Sequence, residues 1–507
     1  MQSEGKDITK WDLKKESIKY CEQDCKTLYY SILEFGKLIY MQFGVDISKT
    51  PTISSLAFRI YRVKFLDEKD NIAILQGLIY DFIYKGYYGG AVDAYIPIIP
   101  SGKKIKCYDV NSLYPTSMLN NIMPVGNPYY FEGNLNYFNK INYNYPLDSE
   151  LNGDQKNKIP SKTNYSYTNE NFNIISTSLF LENIINFLNL NGDSGVLCNN
   201  ENKPYGFFEV SLKTPAKENW NQPILLKKHK IGFGGIRTIA AVGEWNGVYF
   251  SEELYNAQDK NLDHSFKVKR GFLFRQKYLF KDYVETLFKL RISNPKNTPL
   301  NIIAKLLLNS LYGRFGMNPD KANHIILSDP LEKDKIFILN DIKNIIDFGN
   351  GKELVSYIPK KPKDKELLDL LSDEAKESNM LINVAISSAV TGLSRIFMSF
   401  YKNNPLFRLY YSDTDSIFID VYLEEKFPNL VGNELGQWKL EYEFERAVFL
   451  GPKVYGGITP EGKSIVKAKG VKNIIPYEDL ESLLQKENKL KIPTENDIEI
   501  YQKEISK

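Results

Sequence analysis

The sequence predicts an α+β protein of several lobes, and three observations carry that reading. An acidic hairpin sits between β-favouring runs at residues 409–419, and a strand at 104–110 ends in a carboxylate. Two consecutive helices, 280–292 and 300–312, break at Asn294-Pro295. Strand patterns and helix patterns are thus both present, and two of the strands meet in an antiparallel hairpin.

With 507 residues, of which 43% are hydrophobic, the chain can form several cores or one multi-lobed enzyme. A net charge of +3 excludes a global positive field, so nucleic acid must be met by local clusters. Cys21, Cys25, Cys107 and Cys198 and the histidines His229, His264 and His324 are scattered without a CxxC pair. That argues against structural zinc and for reduced thiols. No apolar run approaches the roughly 18 residues of a membrane span. Met1 to Lys19 mixes acids and bases without an apolar core, so neither a signal nor a transit peptide is expected. The expectation is a soluble chain with no membrane partner.

The hairpin reads Leu409-Tyr410-Tyr411-Ser412-Asp413-Thr414-Asp415-Ser416-Ile417-Phe418-Ile419. Residues two apart on a strand project to one side, so Asp413 and Asp415 can face a common point. Two such anions repel unless a cation lies between them, and Mg²⁺ suits both carboxylate and phosphate oxygens. An ordinary hairpin with an acidic turn is the plain alternative.

Residues 16–41 carry helical periodicity through Ile18, Cys21, Cys25, Leu28, Tyr29, Ile32 and Leu33, with Tyr20 and Asp24 one turn apart. A second helix is expected from Ser54 to Phe65. In the run Tyr84 to Ala91, Gly89 and Gly90 allow another backbone to come close, and Tyr87 offers a ring to a base. A glycine turn before a strand explains the same run. After Asp109 and Val110, Ser112, Leu113 and Tyr114 lead into Pro115, which suits a helix start. A carboxylate followed by amides and a ring suits a metal-bound triphosphate; a surface strand-turn is the alternative.

Residues 127–204 are polar and read as an insertion, with order returning in a strand at 205–212. Lys227, Lys228, His229 and Lys230 form a basic cluster, either a solvated loop or a place where nucleic acid or an acidic protein could bind. Lys305, Asn309 and Tyr312 follow i, i+4, i+7 and form a polar stripe, a poor core face but a good nucleotide face. Leu306, Leu307, Leu308 and Leu311 are left to pack inward, and Arg291 on the preceding helix could reach the same phosphates. Residues 317–380 read as a second polar insertion, followed by a helix at 383–401. Lys453 and Tyr455 share a face by strand spacing, with Lys463, Lys467, Lys469 and Lys472 nearby. Together Asp109, Asp413 and Asp415 would hold two Mg²⁺ ions about 4 Å apart.

The motifs resemble those of protein-primed family B DNA polymerases, the branch of phages, adenoviruses and mitochondrial linear plasmids. Motif A resembles Asp109 to Pro115, motif B Lys305 to Gly313 and motif C Tyr411 to Ser416. The lysine-x-tyrosine motif matches Lys453-Val454-Tyr455, and the tyrosine-x-glycine-glycine motif matches Tyr87 to Gly90. All five stand in the family's order, from about residue 16 to 475. The resemblance implies a right-hand fold with an antiparallel-sheet palm, helical fingers, a small thumb and an exonuclease remnant. It divides the chain into the remnant (1–50), palm with motif A (51–122), an insertion tied to a priming protein (123–245), and palm (246–279). Fingers (280–316), a second insertion (317–380), palm with motif C (381–460) and thumb (461–507) follow.

By the same resemblance the activity is template-directed deoxynucleotide addition with two Mg²⁺ ions at Asp109, Val110, Asp413 and Asp415. Ser112, Leu113, Tyr114, Arg291, Lys305, Asn309 and Tyr312 would bind nucleotide; Tyr87, Gly89, Gly90, Lys453, Tyr455, Lys467 and Lys469 would bind DNA. Primer-template, deoxynucleoside triphosphates and a terminal priming protein are the partners expected of a monomer. Tyr20 and Asp24 resemble the last exonuclease motif alone, and the earlier ones would lie upstream of Met1, so proofreading is not expected. A silent relic that still binds DNA or a terminal protein is the alternative. Mitochondrial residence follows from the family branch and an A/T-rich codon bias. The role implied for Tyr114 is a steric gate against a ribose 2′-hydroxyl. Tyr114→Val is then expected to admit ribonucleotides in a primer-extension assay, and unchanged sugar selectivity would remove the gate.

Overall fold

The structure is a computed structural model that describes residues 12–48, 50, 52–67, 72–133, 204–216, 221–231, 235–258, 264–318, 323–359, 383–471 and 475–485. It divides into two units: Met1–Glu68 with Phe280–Arg314, and Lys69–Leu279 with Phe315–Lys507.

The first unit is helical. Asp12 caps the helix Leu13–Phe43 by accepting from the Lys14 and Lys15 amides, and Gly44 closes it at φ 64°. The helices Ile53–Lys64, Lys281–Ile292 and Pro299–Phe315 surround Tyr283, which is fully buried. Its hydroxyl donates to the Leu307 carbonyl at 2.9 Å, and its ring meets Tyr61 and Phe65 edge-on. Asn301 donates to the carbonyls of Arg291 and Asn294, so the break at Asn294-Pro295 becomes a pinned connector between two helices. One expectation is corrected here, that Leu306 packs inward. The apolar stripe of Leu13–Phe43 is exposed at Ile18, Leu28, Tyr29 and Ile32, and burial begins only at Ile39 and Phe43. Leu306 is exposed, whereas Leu307, Leu308 and Leu311 are buried as expected. Periodicity marks a face that can be buried but does not supply what buries it.

The second unit is built on a five-stranded antiparallel sheet. Its order is β1 (Val92–Ala94), β12 (Leu409–Asp413), β13 (Ser416–Ile419), β2 (Ile105–Val110) and β14 (Trp438–Phe444). One face packs Tyr108, Val110, Ile417 and Trp438 against Met398 and Tyr401 of the helix Val384–Lys402. The other packs Cys107, Tyr411 and Phe418 against Phe449 and Tyr455 of a three-stranded sheet, β15 (Arg446–Gly451), β16 (Val454–Ile458) and β17 (Ser464–Ala468). Burial on both faces explains the near-continuous apolar runs of β2 and β12.

Val384–Lys402 corrects the expectation that no run has the length of a membrane span. It has that length and apolarity, but 72% of the qualifying window is buried inside the protein. The segments read as polar insertions also contain order. β3 (Met123–Glu132), β8 (Ser265–Lys277), β4 (Gly206–Thr214) and β7 (Gly243–Phe250) form a four-stranded sheet in that order. β5 (Leu226–Ile231) and β6 (Gly235–Ala240) form a hairpin carrying the basic cluster. β10 (Asn340–Asp347), β11 (Glu353–Pro359) and β9 (Asn323–Leu327) form a further three-stranded sheet beside the helix Pro330–Leu339. Strands with one solvated face alternate in polarity, which resembles loop composition in sequence. Residues 134–203 and 360–382 lie outside the described residues.

One buried ion pair joins these layers. Arg395 of Val384–Lys402 donates through Nε and Nη2 to both oxygens of Glu253 at 2.8 Å. Glu253 lies on the helix Ser251–Ala257, and the two side chains are 8% and 5% exposed. Nη1 donates to the carbonyls of Tyr88 and Gly89, so Arg395 also holds the glycine loop. Removing one partner strands a buried charge. Arg395→Leu is expected to cost about 3–5 kcal/mol in urea unfolding. Arg395→Leu with Glu253→Leu should recover most of that loss, and no recovery would refute the stranded-charge account.

Candidate functional site

The register of three strands builds the site. Asp413 of β12 pairs with Ser416 of β13, and Ser416 pairs with Asp109 of β2. Directly paired residues project to the same face, so the two carboxylates flank Ser416 roughly two strand spacings, or about 10 Å, apart along the backbone. Val92 extends the row on one side and Lys439 on the other. This is the face that carries Tyr411, Phe418 and Tyr455, so the acids lie at the edge of an aromatic core.

Asp415 arrives differently from the sequence expectation. It is not two residues along the same strand from Asp413, because Thr414 and Asp415 are the two turn residues of the hairpin. A two-residue hairpin loop needs a positive φ, normally supplied by glycine or asparagine. Here the β-branched Thr414 takes φ 55°. Three contacts hold that strained geometry. The Thr414 amide donates to Ala91 O at 3.1 Å, its hydroxyl to Asp413 Oδ1 at 3.1 Å, and the Asp415 amide to Asp413 O at 2.6 Å. A Cβ on Gly90 would sit 2.5 Å from the Thr414 hydroxyl, so only glycine lets the loop lie against the turn. Val110 N donates to Asp415 O at 2.8 Å, tying motif A to the turn. Burial, and secondarily the charge of Asp413, pushes the Asp415 carboxyl up to about 6.

Lys453 also departs from expectation. It lies in the turn between β15 and β16 at φ 63°, not on a strand beside Tyr455. Its amide donates to the Tyr411 hydroxyl at 2.9 Å, and its carbonyl accepts from Lys469 N at 3.0 Å. Its ammonium donates to both oxygens of Asp413 at 2.8 Å. Tyr455 packs against Tyr411 and Phe418 and shares a 3.1 Å hydrogen bond with Tyr442, which makes it part of the sheet's support. Lys467 pairs with Tyr455 across β16 and β17, so Lys453, Lys467 and Lys469 gather at one end of the small sheet, with Lys467 and Lys469 exposed.

After Asp109, Asn111 donates to the carbonyls of Gln437 and Gly432. Ser112, at φ 56°, precedes the helix Leu113–Asn120, placing Pro115 in its first turn. Leu113 is buried, whereas Tyr114 lines a pocket with Gly90, Thr414, Gln222, Arg395 and Lys402. Lys402 is buried, donates to Ala91 O at 3.3 Å and is lowered to about 8 by desolvation, against the opposing pull of Asp93 and Asp413. Gln222 donates to Asp93 at 2.6 Å and accepts from Tyr95, whose hydroxyl also meets Ser412. Tyr87 is half-buried, and Gly89 and Gly90 are exposed at the pocket's rim.

Arg395, Lys402, Gln222 and Lys439 carry no motif signal in sequence; only their position around the turn distinguishes them. The structure brings Asp109, Asp413, Asp415, Lys453, Gly90 and Tyr114 into one region. Among the described residues, however, no group of three or more His, Cys, Asp or Glu side chains is drawn together to hold an ion. In the first unit Lys305 and Asn309 are exposed and Tyr312 half-buried, so the expected stripe is a real surface. Burial lowers the pKa of the half-buried Arg291. Tyr20 and Asp24 are both exposed on the helix Leu13–Phe43.

The fold is that of solved structures of Phi29 DNA polymerase. An orthorhombic crystal form aligns with a TM-score of 0.55 at 17% identity over 88% of this chain and 65% of that one. A ternary complex of Phi29 DNA polymerase with primer-template DNA and incoming nucleotides gives 0.55 at 18% identity, over 87% and 64%. These place the chain in the polymerase fold class. The profile of the DNA polymerase type B, organellar and viral, family matches residues 1–186 and 192–405, and the chain belongs to that family. A probable DNA polymerase of Neurospora intermedia is 35% identical over 486 residues, covering 95% of this chain and 42% of that protein. One of Ascobolus immersus is 31% identical over 478 residues, covering 93% and 32%. The DNA-directed DNA polymerase of Enterobacteria phage PRD1 is 23% identical over 478 residues, covering 91% and 63%. The chain thus spans well under half the length of the fungal relatives.

The Asp415 carboxyl holds its proton to about pH 6 in the fold, against an ordinary value of 3.8. Between those values the folded state binds more protons, so the stabilisation is full below pH 3.8 and lost as pH rises through about 6. Without divalent ions, Asp415→Asn is expected to exceed wild type in stability by about 2–3 kcal/mol at pH 7.5. The gap should close below pH 4, and a pH-independent gap in urea unfolding would contradict it.

Proposed function

We propose that this chain adds deoxynucleotides to a DNA primer along a template. The observation that carries the reading is the Asp413–Ser416–Asp109 register, which sets two motif carboxylates on one face beside the turn that bears Asp415. Oxygen donors alone suit a hard divalent cation, and the Asp413 side chain is 23% exposed in a solvent-reached pair with Lys453. Asp109, Asp413, Asp415 and the Val110 carbonyl would hold Mg²⁺. When bound, the ions would supply charge neutralisation at the transferring phosphoryl group.

The chain's own residues position and exclude. Tyr114 lines the pocket at the turn and would crowd a 2′-hydroxyl. Gly89, with open space where a side chain would stand, and the exposed backbone of Gly90 beside it would meet a template strand. Lys467 and Lys469 offer exposed charge to a sugar-phosphate backbone. Lys305, Asn309 and Tyr312, with Arg291, form the nucleotide surface assigned to the first unit. Protein-primed replication of a linear plasmid in a mitochondrion, with a terminal protein as partner, is the finer reading, and it rests on the family branch. A silent relic that still binds DNA or a terminal protein is the second reading, motivated by the lack of an ion-holding group of three His, Cys, Asp or Glu side chains among the described residues.

On a primed template with Mg²⁺ and deoxynucleotides, the purified chain is expected to extend the primer. Asp109→Ala and Asp413→Ala should each slow extension by about a hundredfold or more. Extension that survives both substitutions would sink the assigned chemistry. Salt-sensitive DNA binding without any extension would favour the relic.

A further inference from the structure

Lys402 closes the helix Val384–Lys402 with its side chain inside the protein, 6% exposed. Among the described residues its ammonium makes one hydrogen bond, to the Ala91 carbonyl at 3.3 Å, and no ion pair. An ammonium carries three donors, and burying it with so few partners is costly. The same helix buries Met398 and Tyr401 nearby, so an apolar side chain would fill the place at lower cost.

The carbonyl that Lys402 meets also accepts from the Thr414 amide at 3.1 Å, so one oxygen joins the ammonium to the left-handed turn residue. A charged donor fixes the position of that oxygen, and the turn is set against it. Ala91 lies between Gly90, which packs on Thr414, and Val92, which pairs with Asp413. β1 is only three residues long and stands at the edge of its sheet.

The place where the helix ends is itself fixed by a reciprocal clamp. Asn221 donates through Nδ2 to the Lys402 carbonyl at 2.7 Å. The amides of Asn221 and Gln222 donate to Asn403 Oδ1 at 3.0 and 3.1 Å, and Asn403 Nδ2 donates to the Gln222 carbonyl at 2.8 Å. The Gln222 side chain then reaches β1, donating to Asp93 at 2.6 Å. Two residues of the stretch read from sequence as an insertion thus brace both the helix end and the edge strand.

We propose that Lys402 is a positioning residue for the Thr414–Asp415 turn, acting through the Ala91 carbonyl. Asn221 and Gln222 set the point from which its side chain reaches that oxygen. Its consequence for catalysis rests on the polymerase reading above: a loosened turn slows the chemical step and leaves the binding of nucleotide and DNA unchanged.

Hydrogen exchange of the full chain, read by mass spectrometry without substrate, measures the hold on the turn directly. Lys402→Met is expected to speed exchange about tenfold in the peptide spanning Tyr411 to Ile417, with the strands at 446–468 unchanged. Unchanged exchange at the turn, or faster exchange in both regions, overturns the proposal. Lys402→Met combined with Asp93→Asn removes the neighbouring carboxylate charge as well. The turn should stay loose in that pair, and a return to wild-type exchange would make Lys402 a counter-charge for Asp93 and refute the role assigned to it. In primer extension Lys402→Met should lower kcat about tenfold and keep KM for deoxynucleotide and the Kd for DNA within about twofold. A rise in KM with kcat intact contradicts positioning. If wild type does not extend a primer at all, the polymerase reading fails, while the exchange data still decide what Lys402 holds.

Discussion

The hydrogen-bonded register that runs from Asp413 through Ser416 to Asp109 is the constraint on which the site depends. A slip of one residue would turn each of these side chains to the opposite face of the sheet, because side chains alternate with period two. Burial on both faces prevents that slip. Tyr108, Val110 and Ile417 are committed to one core, and Cys107, Tyr411 and Phe418 to the other. Exchanging the two sets would place the charged row in the apolar layer of the Val384–Lys402 helix. The face on which the catalytic candidates stand is thus set by the packing of their neighbours.

The turn pays a local conformational cost to present Asp415, and the surroundings offset it. Thr414 is left-handed, Gly90 lies against it, and Ala91 accepts from its amide. The loop that brings Gly90 there is held by Arg395, which is itself paired with Glu253 in the protein interior. A chain of specific contacts therefore runs from a buried ion pair, through a glycine loop, to a strained hairpin tip. Interactions of this kind favour one geometry over neighbouring ones, which is the property a charge-positioning site needs.

Charge around the hairpin is balanced from several directions. Lys453 meets Asp413 from the small sheet, Lys402 lies buried near Asp93 and Asp413, and Lys439, whose ammonium pairs with Glu441, is the cross-strand neighbour of Asp109. Two acids on one face of a sheet are costly without such partners. Of these cations Lys453 is the most exposed, at 45%.

Much of the site was legible from local sequence. The hairpin, the strand ending at Asp109, the helices beginning near Ile53, Lys281 and Pro299, and the stripe of Lys305, Asn309 and Tyr312 all follow from period and turn chemistry, which act over a few residues. Sequence alone also placed the glycine loop and motif acids in one family order. What it could not settle was long-range. Whether Lys453 stands on a strand or in a turn depends on the pairing of β15 with β16, and its partner lies forty residues away. Asp415 occupies a turn because the hairpin closes in two residues, a choice set by the core residues on either side. Arg395, Gln222 and Lys402 carry no motif, and packing against the turn gives them meaning. The exposed stripe of Leu13–Phe43 and the strands within the polar segments show the same limit. Period and composition are local properties, whereas burial, register and ion pairing are decided by which distant segments meet.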